Sequence, residues 1–91
     1  MLESKILLAR YKRNILILNG FRFFFYSNEN NEPPHVHVTK GDGHAKFWLA
    51  PEIELVEYHK FKANEIKAAW IITLENHELF INKWNEYFNR Y

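Results

Sequence analysis

Two histidines, His35 and His37, follow directly on Pro33-Pro34, with Glu32 just before them and Lys46 and Trp48 a short way after. Residues of these types support three kinds of chemistry. A His-x-His pair on a strand puts two imidazoles on one side, their Cα atoms about 7 Å apart, which suits a single divalent metal ion. His35 and His37 are then the metal ligands, with Glu32 or His44 as a third. The second chemistry needs no metal. An imidazole titrates near neutral pH, an ammonium stabilises a developing phosphate charge, and a carboxylate orients or deprotonates. His35, His37, Lys46 and Glu32 are the candidate catalytic set, and it matches the inventory of a small metal-independent ribonuclease. The third is recognition. Arg22, Tyr26 and Trp48 are of the types that dominate interface hot spots, and their planes can also stack exposed bases.

The elements that position these residues can be read from alternation and turn signals. In His35-Val36-His37-Val38 the histidines share one face of a strand and the valines the other. Asn19-Gly20 between Ile15–Leu18 and Phe21–Tyr26 signals a tight hairpin over about 14–26, with Leu18 opposite Phe21, Ile17 opposite Arg22 and Leu16 opposite Phe23. Proline is tolerated at a strand start, so the next strand begins at about His35. A second hairpin then spans about 35–49. With Asp42-Gly43 as its loop, Val36 faces Leu49, Val38 faces Phe47, His37 faces Trp48 and Thr39 faces Lys46. Val36, Val38, Phe47 and Leu49 form an apolar face, and His35, His37, Thr39, Lys46 and Trp48 the opposite one. Residues 53–61 read as either a short strand or a helical turn.

From about Ala63 the period changes. Ile66, Trp70, Thr73, His77, Phe80, Trp84, Tyr87 and Tyr91 recur at helical spacing, giving an amphipathic segment over about 63–89. A straight helix of that length would be roughly 40 Å long and would overhang a short sheet. A break near Asn76 would let it fold back, whereas an overhang would favour a homodimer or other partner. His77 reads as part of the core stripe. The expected fold is a small two-layer α+β domain, two β-hairpins covered by a C-terminal helix or broken helix pair.

Composition bounds the rest. A chain of 91 residues is one domain, 1–91. Eight Phe, five Tyr and three Trp are a heavy aromatic load, to be placed in the core or at an interface. A net charge of +1 is too balanced to imply a nucleic-acid partner by itself. Lys5, Arg10, Lys12 and Arg13 do make the N-terminal segment locally basic. The absence of cysteine excludes disulfides, thiolate metal sites and a cysteine nucleophile. The apolar patch Ile6–Ala9 is too short for a signal segment, and no run approaches the ~18 apolar residues that cross a bilayer. A cytoplasmic protein with no membrane partner is expected.

The strings GFRFFFYSNE (20–29), NEPPHVHV (31–38), KGD (40–42) and AKFWL (45–49), continued weakly in Glu75-Asn76 and Trp84–Phe88, resemble the DUF4160 family. The resemblance implies a small prokaryotic protein, often encoded beside a DUF2442-type protein in what look like toxin–antitoxin-like gene pairs. It implies that adjacent protein as a partner but implies no reaction. Ala50 stands where family members often carry an acidic residue, and Lys60 where they often carry glycine. The matched positions Glu32, Pro34, His35, His37, Lys46 and Trp48 are the candidates for the family's function. The leading expectation is a binding protein acting through a His/Lys/Trp surface. The ribonuclease is second and the metal-dependent activity third. No cofactor is expected beyond that metal, and RNA is a second candidate partner.

Overall fold

The computed structural model describes residues 11–28 and 31–88. Lys5, Arg10, the patch 6–9 and Tyr91 therefore lie outside the described residues. Five strands form one antiparallel meander in the order β1 (Lys12–Leu18), β2 (Phe21–Tyr26), β3 (His35–Lys40), β4 (Gly43–Trp48) and β5 (Glu54–His59). Two helices follow, α1 (Ala63–Glu75) and α2 (His77–Phe88). The ambiguous segment 53–61 is thus a strand. It hydrogen-bonds along β4 and makes the sheet one strand wider than two hairpins.

The first hairpin turns at Asn19 and Gly20, with φ of 52° and 83°. Two consecutive positive φ angles give the tight turn whose twist matches paired strands. The expected pairs Leu18–Phe21, Ile17–Arg22 and Leu16–Phe23 form. Beyond Leu16 the ladder slips at a bulge, so that Asn14 pairs with Phe24 and Ile15 is the extra residue.

The second hairpin differs from expectation by two residues. Lys40 pairs with Gly43, so the loop is Gly41-Asp42; Val36 then faces Phe47, Val38 faces Ala45, His37 faces Lys46, and His35 faces Trp48. Two local facts select this register. Gly41 takes the positive φ of 57° at the first loop position, the order a Gly-X turn requires. Gly43 belongs to the strand because Phe61 occupies the space of its missing side chain: a Cβ there would lie 2.3 Å from Phe61 Cδ1. A shift of two preserves which face each residue occupies. The expected faces therefore stand although the partners change.

The helices cover the apolar face. Val36, Val38, Phe47 and Leu49 are all fully buried there, with Phe23, Ala45, Ala69 and Phe80. Ring contacts connect the layers: Phe23 to Phe80 at 5.3 Å, Phe25 to Trp84 at 5.2 Å and Phe47 to Trp70 at 5.9 Å. The long helical stripe is broken at Asn76. Its backbone N–H and its side-chain Nδ2 both donate to the Ile72 carbonyl, at 3.0 and 2.9 Å. One turn earlier, the Thr73 hydroxyl donates to the Ala69 carbonyl at 2.8 Å. Side-chain bonds of this kind compete with the helical ladder and favour ending it. His77 Nε2–H then donates to the Leu49 carbonyl at 2.7 Å, which ties the start of α2 to the end of β4. No helix among the described residues is long and apolar enough to cross a membrane.

Two substitutions near the β5–α1 corner have opposite expected signs. Gly43→Ala should destabilise by about 1–3 kcal/mol, because the added methyl group overlaps a buried ring. Lys60→Gly should stabilise by about 0.5–1 kcal/mol. Lys60 sits at φ 57°, which strains an L side chain by more than glycine loses in chain entropy. Urea denaturation checks both as shifts of midpoint at constant slope.

Candidate histidine face of the sheet

Directly paired residues share a face, and the observed register carries one face across all five strands. Lys12 and Asn14 of β1 meet Tyr26 and Phe24 of β2. Arg22 and Phe24 meet Thr39 and His37 of β3. His35, His37 and Thr39 meet Trp48, Lys46 and His44 of β4. These meet Glu54, Glu57 and His59 of β5. Arg22, Tyr26, His35, His37, Lys46 and Trp48 are therefore coplanar, as alternation required.

The two central histidines are buried. His35 has no exposed surface and His37 is 5% exposed, which limits access to either ring. His35 Nδ1 lies 2.9 Å from the Pro33 carbonyl oxygen. A carbonyl only accepts, so Nδ1 carries the proton. Pairing of β2 with β3 stops at Phe24–His37, and Trp84 reaches both Phe25 and His35, with ring centroids 5.2 and 5.1 Å away. Trp48 packs edge-on against His35 from the other side, at 5.7 Å. His37 stacks on Phe24 at 5.5 Å and meets Tyr26 edge-on at 4.8 Å. Its Nδ1 is 3.2 Å from His44 Nε2, so one ring donates to the other. Near-parallel rings continue outward from His37 to His44 and then His59.

The two lysines of this face also have partners. Lys46 Nζ is 2.7 Å from Glu32 Oε1 and 4.8 Å from the Trp48 ring. Lys12 Nζ lies 4.8 Å over the Phe24 ring. Burial holds His44 below the usual imidazole range, and the positive charge available to His37 adds to this. His59 and Lys12 act in the same sense and Glu57 opposes them.

The structure thus collects the expected residues into two groups: Glu32 with Lys46 and Trp48, and His35 with His37 and Tyr26. Arg22 stands apart, exposed beside Thr39. Of the two expected third metal ligands, Glu32 is committed to Lys46 and His44 Nε2 to His37 Nδ1, while His35 Nδ1 is committed to Pro33. Among the described residues no group of three or more His, Asp or Glu is placed to hold a metal. The sequence reading missed His59, and it considered His44 only as a metal ligand. His59 joins the face through β5 and His44 through the shifted β3–β4 register, and no local sequence signal separates that register from the expected one.

The lowered His44 titration gives stability a pH dependence. In the unfolded chain His44 protonates around 6.5, and in the folded chain only at lower pH. Between these values the unfolded state binds more protons, so stability falls as pH drops through and below 6.5 and is insensitive to His44 above it. His44→Gln should flatten the fall in melting temperature between pH 7.5 and 5.5. An equally steep fall in the variant would mean that His44 is not responsible.

No curated protein and no solved structure matches the chain. The family model described as "Domain of unknown function (DUF4160)" matches residues 20–85, a span that includes β2 to β5, α1 and the histidine-face residues of β2 to β5. The chain therefore belongs to the DUF4160 family.

Proposed function

We propose that the protein is a small binding module, one component of a toxin–antitoxin-like gene pair, that meets a protein partner through the rim of its histidine face. One observation carries this reading. The two imidazoles that acid–base catalysis would use are buried, and His37 is bonded to His44, whereas Trp48, the Lys46–Glu32 pair and Arg22 reach the surface. A catalytic base must come within hydrogen-bond reach of the proton it removes. His35 and His37, at 0% and 5% exposure, are poorly placed to do so. A partly buried Trp ring beside a fixed ion pair is instead the composition of an interface hot spot. Buried neighbours also hold these side chains in place, so little side-chain entropy remains to be lost on association. The adjacent DUF2442-type protein is the partner that family membership brings forward.

Co-expression with that protein and affinity purification provide the test. The two chains should elute together, and Trp48→Ala should weaken the complex at least tenfold, about 1.4 kcal/mol, while leaving the circular dichroism spectrum unchanged. Absence of a complex would count against the reading. Cleavage of RNA by the wild type, lost in His37→Ala and accompanied by growth inhibition, would replace it with the ribonuclease.

A further inference from the structure

The β1 bulge turns Arg13 toward α2. Strict alternation back from Leu18 would place Leu16, Asn14 and Lys12 on the helix side and Arg13 on the histidine side. Because Ile15 is an extra residue, Arg13 pairs instead with Phe25, and Asn14 and Lys12 pair with Phe24 and Tyr26. Arg13 therefore points into a cavity of about 360 Å³ between β1 and α2, lined by Arg13, Ile15, Phe25, Lys83, Glu86 and Tyr87. That volume lies at the lower end of the range for small-molecule sites.

The lining combines a flat apolar floor with an excess of positive charge. Phe25 is buried and Ile15 half-buried. Arg13 Nε–H donates to the Tyr87 hydroxyl at 2.8 Å, and its guanidinium lies 4.6 Å over the Tyr87 ring. Those two contacts fix the guanidinium plane and use Nε, so the two Nη groups remain as a fork for a planar anion. Among the described residues no carboxylate lies within ion-pair distance of Arg13. Glu86 is 3.7 Å from Lys83, with both side chains largely in water, where such a pair contributes little. Two cations against one carboxylate leave one positive charge in excess.

We propose that this cavity binds a small monoanion carrying a flat ring, an aromatic carboxylate, with its carboxylate on the Arg13 fork and its ring against Ile15 and Phe25. Benzoate is the probe, followed by ¹H–¹⁵N NMR at about 10 mM, enough to reveal a millimolar Kd. Saturable shifts are expected at Arg13 Nε and at the Ile15 and Phe25 amides. Benzyl alcohol, of the same shape and neutral, should bind at least tenfold more weakly. Arg13→Lys keeps the charge and loses the fork, and should weaken benzoate at least tenfold. Lys83→Ala, on the exposed rim, should weaken it less. Failure of benzoate to shift these resonances, equal binding of benzoate and benzyl alcohol, or unchanged affinity in a folded Arg13→Lys variant would overturn the proposal. Tighter binding of phenyl phosphate than of benzoate would overturn the assignment of a monoanion.

Discussion

Burial of β3 on both of its faces is the constraint from which the rest of the domain follows. His35, Val36, His37 and Val38 are all buried. The valines meet this by packing under the helices. The imidazoles lose water on the other side, where each polar atom left unsatisfied would cost about 1–3 kcal/mol. Their partners explain the surrounding sequence. Proline has no N–H but keeps its carbonyl, and both carbonyls of Pro33-Pro34 are used. One accepts from His35 and the other from the Leu49 backbone N–H, at 2.9 and 2.8 Å. The proline pair therefore starts β3, accepts the Nδ1 proton of a buried histidine and pins the end of β4. His37 Nδ1 is paired with His44 Nε2, in the β3–β4 register in which Thr39, not His37, stands opposite His44.

Period-two reasoning recovers faces more readily than partners, and the outcome here follows that division. Asn19-Gly20 identified its hairpin because the required φ angles are positive at both positions and few other residue pairs tolerate them. The valine and histidine faces were legible because alternation survives an even register shift. The shift itself was hidden because Gly41-Asp42 and Asp42-Gly43 are both plausible loops. What decides between them is the Phe61 ring, almost twenty residues away, filling the space beside Gly43. Strand β5 was ambiguous for a different reason. It lies at the sheet edge, five of its six residues are exposed, and a bulge at Val56 interrupts the alternation that would have marked it. The bulge at Ile15 reversed the side on which Arg13 lies, and no local residue type announces it.

Helix packing accounts for the remaining element. A continuous stripe from Ile66 to Phe88 cannot stay on a sheet whose strands are six or seven residues long. Thr73 and Asn76, polar residues inside an apolar stripe, end the first helix by bonding back to Ala69 and Ile72. The second helix can then run from Leu49 toward the far end of β2, where Trp84 inserts between Phe25 and His35. Trp84 is thus core on one side and part of the histidine setting on the other. It joins the apolar packing to the polar face at the point where β2 and β3 separate.

The same two strands serve two unlike surfaces. Phe24 stacks on His37, while its neighbour Phe25 floors the β1/α2 cavity. Lys12 covers Phe24 from the histidine side, while its neighbour Arg13 faces Tyr87. Without the bulge, Arg13 would join Lys12's present side of the sheet and bring a second cation toward a histidine pair in which burial and neighbouring positive charge already disfavour protonation of His44. With the bulge, the guanidinium lies over an aromatic ring in an open cavity, where a cation is tolerated and an anion can reach it. One inserted residue therefore separates the basic charges of β1 into one that shields the histidine face and one that is available for binding.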